Sequence, residues 1–325
     1  MKLVSPHDYV AQAAELVRHA KERVYVLSMV MADHPNTNEL FNELKLAAQR
    51  GVQVYVAADI FTFGEVNGSF LPLRYYSPNS RETNTTVKAL KKAGVKFYWL
   101  GRTRLTIFNG RTHSKWCVVD DVSFVFGGVN LYDGGIDNAD YMFRIDNDSK
   151  LADRLVEEQH RIYRSERRGG NYPSIAVEQT KMKILFDGGI IGQSIIYRRA
   201  CELAEEATNI VFVSQYCPTG KLARILKYKR VELFYNKASN THGLNKFVIS
   251  VSQFVSGLQT SYKKKRYLHA KFIIFTMEDG TKRAITGSHN FAYTGVLLGT
   301  REIALETADP AIIEQLEDFI TKKVA

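Results

Sequence analysis

Three cysteines in 325 residues, Cys117, Cys201 and Cys217, are too few for a disulfide framework, and no Cys-x-x-Cys pair is present to clasp zinc. This scarcity points to a reducing compartment, the cytoplasm. Long apolar runs are scarce as well. The longest stretches without Lys, Arg, Asp or Glu, such as 247–262 and 284–300, are broken by Ser, Gln, Asn, His or Gly. Neither reads as a membrane span, which needs about 20 mostly apolar residues. The opening Met-Lys-Leu-Val-Ser-Pro-His-Asp lacks the apolar core of a signal peptide. A soluble or peripherally membrane-associated chain is expected. Only seven prolines, with 45% hydrophobic and 24% charged residues, exclude long disorder, collagen and coiled coil.

Acid is the scarcer charge: 34 Asp and Glu against 44 Lys and Arg leave a net charge of +10. Such an excess suits an anionic partner, whether nucleic acid, an anionic bilayer or a phosphorylated substrate, and is also compatible with simple solubility.

What is present is an alternation of β and α patterns. Val10, Ala13, Ala14 and Val17 have helical spacing, Arg23–Met29 reads as a buried strand, and Leu40, Phe41, Leu44 and Ala47 mark a second helix. Gly51 sits where a helix cap is wanted, and Val52–Ala58 alternates as a strand. Residues 165–173 combine glycine, proline and charge, and the plan then repeats: a strand from Met182, a helix over 193–207, a strand from Asn209. The expected organisation is an α/β fold of two similar repeats, 1–168 and 178–325, joined by a linker at 169–177. Each repeat is expected to hold a mostly parallel mixed sheet flanked by helices.

The repeat is sharpest in two segments. Thr112-His113-Ser114-Lys115 leads through an apolar stretch to Asp120 and on to Gly127-Gly128-Val129-Asn130. Leu268-His269-Ala270-Lys271 leads to Thr276 and on to Gly287-Ser288-His289-Asn290. Side chains two apart on a strand share a face, so His113 projects with Lys115 and His269 with Lys271. Asp120 lies at an odd offset from His113, which makes it a structural residue rather than a catalytic one. Asp279-Gly280 is a tight-turn signal in the second hairpin.

This doubled pattern resembles the phospholipase D superfamily, whose signature is H-x-K-x-x-x-x-D followed by G-[GS]-x-N. Thr276 stands where the second motif usually has Asp, a departure expected to touch packing more than chemistry. The stretch Ala47-Ala48-Gln-Arg50-Gly51-Val52-Gln-Val54 with Asp59, the Ser214–Pro218 segment and Asp140–Ile145 are similar to bacterial cardiolipin synthases. The resemblance implies two repeats packed about a pseudo-twofold axis and a phosphodiester transferase or hydrolase that works without cofactor or metal.

The same resemblance implies the roles. His113 attacks phosphorus to give a phosphohistidine, and His269 protonates the departing alcohol and then activates water or a second alcohol. The near symmetry leaves the reverse assignment open. Lys115, Lys271, Asn130 and Asn290 bind the phosphoryl oxygens. Glu302 and Asp140 match the family's acidic positions, Glu302 serving His113 and Asp140 serving His269, each with a surface carboxylate as the plain alternative. Gly127, Gly128, Gly287 and Ser288 complete the structural motif with Asp120.

Other features carry less. Asp187-Gly-Gly-Ile-Ile-Gly-Gln-Ser before a helix could cradle phosphate, but a strand-to-helix turn is the simpler reading. Leu244, Phe247, Val248, Val251, Phe254, Val255 and Leu258 form one helical stripe beside Lys263–Arg266. The default for that stripe is a core-facing helix; the alternative is a seat on an anionic membrane. His289 lies between two motif residues with nothing to assign it chemistry, and His7, His19, His34, His160 and His242 have no partner pattern and are expected to be structural or exposed. The expected partner is a phospholipid or other phosphodiester substrate, with an anionic membrane surface. Nucleic acid is the substrate of the alternative reading, a metal-independent nuclease or end-processing enzyme; a binding protein with a retired site is a third. A single chain carries both motifs and is expected to suffice for activity.

Overall fold

A computed structural model describes residues 1–68, 76–102, 110–179, 182–241 and 243–325. His242 and the side chain of Leu244 lie outside the described residues. The chain divides into two compact units. The first holds Met1–Val125, Val129–Asp137 and Tyr141–Asn171. The second holds Tyr172–Ala325 and takes in two short pieces of the first half, Phe126–Gly128 and Asn138–Asp140.

In the first half the elements run β1 (Lys2–Val4), α1 (Pro6–His19), β2 (Arg23–Ser28), α2 (Asn38–Gln49), β3 (Gln53–Asp59) and α3 (Thr62–Glu65). They continue with α4 (Pro78–Lys92), β4 (Lys96–Leu100), β5 (Trp116–Val119), β6 (Val122–Val125), α5 (Asp133–Ile136), β7 (Met142–Ile145) and α6 (Ser149–Arg168). Local chemistry sets the ends. Ser5 accepts a hydrogen bond from the Asp8 N–H with Pro6 in the first turn of α1, and Gly51, just past α2, takes φ +93°. Helix α6 ends at Gly169 with φ +67°.

The second half runs β8 (Ile175–Gln179), β9 (Met182–Gly188), α7 (Ile195–Glu206), β10 (Asn209–Val213), α8 (Gly220–Leu226), β11 (Arg230–Phe234) and α9 (Gly243–Ser256). It closes with β12 (Phe272–Thr276), β13 (Lys282–Gly287), α10 (Tyr293–Leu298), β14 (Arg301–Thr307) and α11 (Pro310–Phe319).

Among the described residues each unit has a seven-stranded sheet, ordered β1-β7-β6-β5-β2-β3-β4 and β11-β10-β12-β13-β14-β9-β8. The order β1-β7-β6-β5-β2-β3 of the first reappears as β9-β14-β13-β12-β10-β11 in the second, with β4 and β8 as the differing edge strands. The sheets are mixed but not mostly parallel: parallel pairing is confined to β2–β3–β4 and to β10–β11. The motif strands return on themselves through tight hairpins, β5–β6 and β12–β13, and a tight hairpin permits only antiparallel pairing.

Both faces of each sheet are covered, so its central strands are apolar throughout. Val24 and Val26 of β2 pack with Val10 and Val17 of α1 and with Leu40 and Leu44 of α2 in one cluster. Tyr25, on the opposite face, meets His160 of α6 with its hydroxyl 3.2 Å from Nε2. In the second unit Ile210, Phe212, Ile273 and Phe275 pack with α7 and α8, while Phe272 meets Phe319 of α11 edge-on.

Asp120 and Thr276 show how the two hairpins are tied to the neighbouring strand. Asp120 turns with φ +53° and accepts three backbone N–H bonds, from Lys21 (3.0 Å), Glu22 (2.9 Å) and Arg23 (3.0 Å). In the second unit the backbone does the same work, with the Thr276 carbonyl accepting from the Thr208 N–H at 2.8 Å. Partial burial opposes ionisation of Asp120, but the N–H bonds from Arg23, Lys21 and Glu22 outweigh it and hold its carboxyl below the ordinary range.

Replacing Asp120 with Ala strands those three N–H groups and should lower unfolding free energy by about 1–3 kcal/mol, measured in urea. Because the folded pKa is depressed, the wild-type advantage is present above the ordinary carboxylate pKa and fades as pH falls through the lowered one. An equal stability of Asp120→Ala and wild type at neutral pH would contradict this account.

Candidate active site

Asp140, His269 and Lys271 form one connected cluster in the second unit. The Asp140 Oδ2 atom is 2.7 Å from His269 Nδ1, and both residues are buried. A neighbouring strand-like bridge sets this distance: Ala139 N–H donates to the Tyr267 carbonyl at 2.8 Å, and the N–H groups of His269 and Ala270 donate back to Ala139 at 3.0 Å each. The Asp140 Oδ1 atom accepts from the Gly128 N–H at 3.2 Å. A Cβ on Gly128 would lie 2.6 Å from Asp140 Oδ2 and 2.9 Å from the His269 carbonyl, so only glycine fits the approach.

Lys271 folds back on its own motif. Its Nζ donates to the His269 carbonyl at 2.5 Å and lies 3.1 Å from His269 Nδ1. Nδ1 cannot accept from the lysine and donate to the carboxylate together. The shorter contact assigns the Nδ1 proton to Asp140, making Nε2 the ring nitrogen with the exchangeable lone pair. Burial pushes the Lys271 amine down to about 8, against the pull of Asp140 and Glu302.

Glu302, on β14, accepts a 2.5 Å bond from the Ser288 hydroxyl. Ser288 thus serves Glu302 as the Gly128 N–H serves Asp140. A Cβ on Gly287 would strike the Ile303 carbonyl at 2.2 Å, which explains the glycine before Ser288. Directly across from Glu302 in the sheet is Asp187. Burial lifts the Asp187 carboxyl to about 7, and its oxygens accept from the Ser194 hydroxyl (2.5 Å) and the Ile195 N–H (2.7 Å). The Asp187–Ser194 segment is therefore a strand-to-helix turn fastened by its aspartate. Among the described residues, none donates a hydrogen bond to the buried Asn290 Oδ1. His289 Nδ1 accepts from the Phe291 N–H at 2.8 Å, a purely local bond.

The first unit repeats the lysine arrangement. Lys115 Nζ donates to the His113 carbonyl at 2.5 Å, and both side chains are buried with Asn130. In both motifs the His and Lys come just before the strand, β5 or β12, rather than opening it. Asn130 Oδ1 accepts from the Val30 N–H at 3.3 Å, which ties it to the end of β2.

Two buried locks escape a reading of motifs alone. In the first unit Asp59, at the end of β3, accepts from Arg111 at 3.0 Å and from the Thr112 N–H at 3.4 Å, just ahead of His113. Burial raises the Asp59 carboxyl, while Arg111 and the Phe61 and Thr112 N–H bonds oppose that rise. In the second unit Asn236, just beyond β11, takes the Leu268 N–H at 2.9 Å and gives to the Leu268 carbonyl at 2.7 Å, ahead of His269. Strands β3 and β11 hold matching places in the two sheets, so a buried polar side chain fixes the approach to each histidine from the same position. The only sequence signal was Asp59, quoted with the Arg50-Gly51-Val52 stretch; Asn236 and Arg111 carried none.

Residues 14–163 match the family described as cardiolipin synthase, PLD-like domain. Phosphatidylserine synthase from Haemophilus influenzae Rd KW20 has a similar structure, with a TM-score of 0.72 and 16% identity over 100% of this chain and 86% of that one. Polyphosphate kinase from Porphyromonas gingivalis gives a TM-score of 0.62 at 11% identity, covering 98% of this chain and 49% of that larger one. No curated protein matches at the level of sequence.

Lys271 yields a test by pH. Between about 8 and the ordinary lysine range the unfolded chain keeps a proton that the folded chain has released, so this group adds stability as pH rises. Unfolding free energy measured across that interval should rise more steeply in wild type than in Lys271→Met. Identical slopes would show that the Lys271 amine titrates in its ordinary range.

Proposed function

We propose, from the premise that the chain belongs to the phospholipase D superfamily, that it moves a phosphatidyl group between alcohols or gives it to water. One histidine from each repeat takes part. His113 attacks phosphorus, a P–N bond forms, and the P–O bond to the leaving alcohol breaks as His269 gives that oxygen its proton. His269 then takes a proton from the incoming alcohol or water, whose oxygen displaces His113. Lys115, Lys271 and the two motif asparagines, Asn130 and Asn290, hold the phosphoryl oxygens as negative charge builds on them.

The observation that carries this reading is the 2.7 Å contact between Asp140 and His269. A buried carboxylate on Nδ1 holds the ring in one tautomer and stabilises its cation, which is what a proton donor to a leaving group requires. His113 is taken as the nucleophile by analogy with relatives in which the first motif attacks. A lipid substrate is favoured over nucleic acid by the family matched in the first repeat.

Purified protein with EDTA should be incubated in parallel with phosphatidylglycerol vesicles plus glycerol and detergent, and with labelled single- and double-stranded DNA and RNA. New phospholipid or phosphatidic acid beside intact nucleic acid is the expected outcome; cut nucleic acid beside untouched lipid would replace this reading with that of a nuclease. Replacing His113 or His269 with Ala should lower kcat at least about 10²–10⁴-fold. Asp140→Asn should lower kcat about 10-fold or more and flatten the limb of the pH profile that reports the acid. Unchanged turnover in either histidine variant would remove the two-histidine chemistry.

A further inference from the structure

Helix α9 is turned the wrong way round for a core helix. Four residues of the apolar stripe expected to face the interior face out, Phe247 being 66% exposed, Val251 44%, Phe254 89% and Val255 70%, while Val248 is half-buried and Leu258 packs on the core. The four exposed positions are spaced i, i+4, i+7 and i+8, so they form one continuous ridge on one side of the helix. The side against the protein carries Ile249 with two serines instead. The Ser252 hydroxyl donates to the Ile249 carbonyl at 3.0 Å, and the Ser256 hydroxyl lies 3.0 Å from Cys217 Sγ. Hydrophobic burial inside this chain therefore does not account for the ridge.

The charge along the chain on either side of it has one sign. From Leu233 to Met277 there is no Asp or Glu, while Lys237, Lys246, Lys263, Lys264, Lys265, Arg266 and Lys271 fall in that stretch. The basic run beside α9 is built rather than loose. Buried Tyr262 donates from its hydroxyl to the Arg266 carbonyl at 2.5 Å, and Asn240 donates to the Lys264 carbonyl at 2.9 Å. Lys263 and Lys265 are exposed, and among the described residues none of the three lysines has an ion pair. The run leads straight into Tyr267-Leu268-His269.

We propose that the outer face of α9 and the Lys263–Arg266 loop together form a docking surface for an anionic lipid bilayer. The ridge enters the boundary between headgroups and acyl chains, and the loop meets the phosphates beside it. Among the described residues no helix is long and apolar enough to span, so the contact is one of lying on the membrane. A second copy would bring the same cations against each other. Nucleic acid would satisfy the lysines and leave Val251 and Val255 in water. An anionic bilayer answers both the ridge and the charge. The proposal deepens the lipid reading above and rests on it for its purpose, delivering a phosphodiester to the His269 side of the site, but its test is binding and does not need turnover.

The full chain should be sedimented with vesicles of phosphatidylcholine alone and of phosphatidylcholine with phosphatidylglycerol. Wild type should bind the second and not the first. Lys263→Gln/Lys264→Gln/Lys265→Gln should weaken that binding about 100-fold, at about 1 kcal/mol per lysine. Phe247→Ser/Phe254→Ser should weaken it as well, with an unaltered thermal midpoint, because both rings are already in water. Turnover on short-chain phospholipid dispersed in detergent should be the same in both variants as in wild type. Wild type that ignores phosphatidylglycerol vesicles, or a Phe247→Ser/Phe254→Ser variant that binds as tightly as wild type, would overturn the proposal. A concentration-dependent dimer abolished by the same phenylalanine changes would overturn it too, as would nucleic-acid binding lost in the lysine variant with vesicle binding intact. Vesicle binding as expected, with no turnover on any lipid, would uphold the docking surface and refute the proposed reaction.

Discussion

A carboxylate taken out of water must be met by donors on each side, and Asp140 meets that constraint through two partners at once. One oxygen takes the His269 ring at 2.7 Å and the other the Gly128 N–H at 3.2 Å. The surrounding backbone follows from this demand. Gly128 has no room for a Cβ, Ala139 is zipped to Tyr267, His269 and Ala270, and the pieces Phe126–Gly128 and Asn138–Asp140 belong to the compact unit of the second half rather than that of their own. The first repeat thus lends its acid and one motif glycine to the histidine of the second.

The two repeats solve the same local problems with different chemistry. A histidine that must keep one position needs its backbone pinned, and each motif lysine does so by folding onto the carbonyl two residues back. The approach to the histidine is pinned by Asp59 with Arg111 in one case and by Asn236 in the other. The acid is seated by a backbone N–H in one case and by the Ser288 hydroxyl in the other. For Lys271 burial makes the cation costly, which lowers its amine to about 8 against the pull of Asp140 and Glu302.

Much of this arrangement was legible in the residues. The doubled His-x-Lys pattern carried the two-repeat plan, and Gly51 marked the end of α2 because glycine permits the positive φ found there. Strand direction was legible only at the Asp279-Gly280 turn, which marks an antiparallel hairpin; antiparallel pairs between strands distant in sequence, such as β1–β7, β2–β5 and β9–β14, carried no pattern. Helix α9 exposes a second limit. Periodicity shows that a helix has an apolar side but not what that side faces, and here the interior took Ser252 and Ser256. The locks at Asp59–Arg111 and Asn236–Leu268 are contacts far apart along the chain, and a side chain bonded to distant backbone leaves no spacing pattern.

The central claim is a covalent exchange in which His113 holds the phosphoryl group and His269 moves the proton. It is tested most directly by mixing the protein with phospholipid, quenching in alkali within a single turnover and mapping the peptides by mass spectrometry. The account predicts a phosphatidyl adduct on the peptide carrying His113 and none on the peptide carrying His269. An adduct on His269, or product formed with no adduct on either peptide, would contradict it.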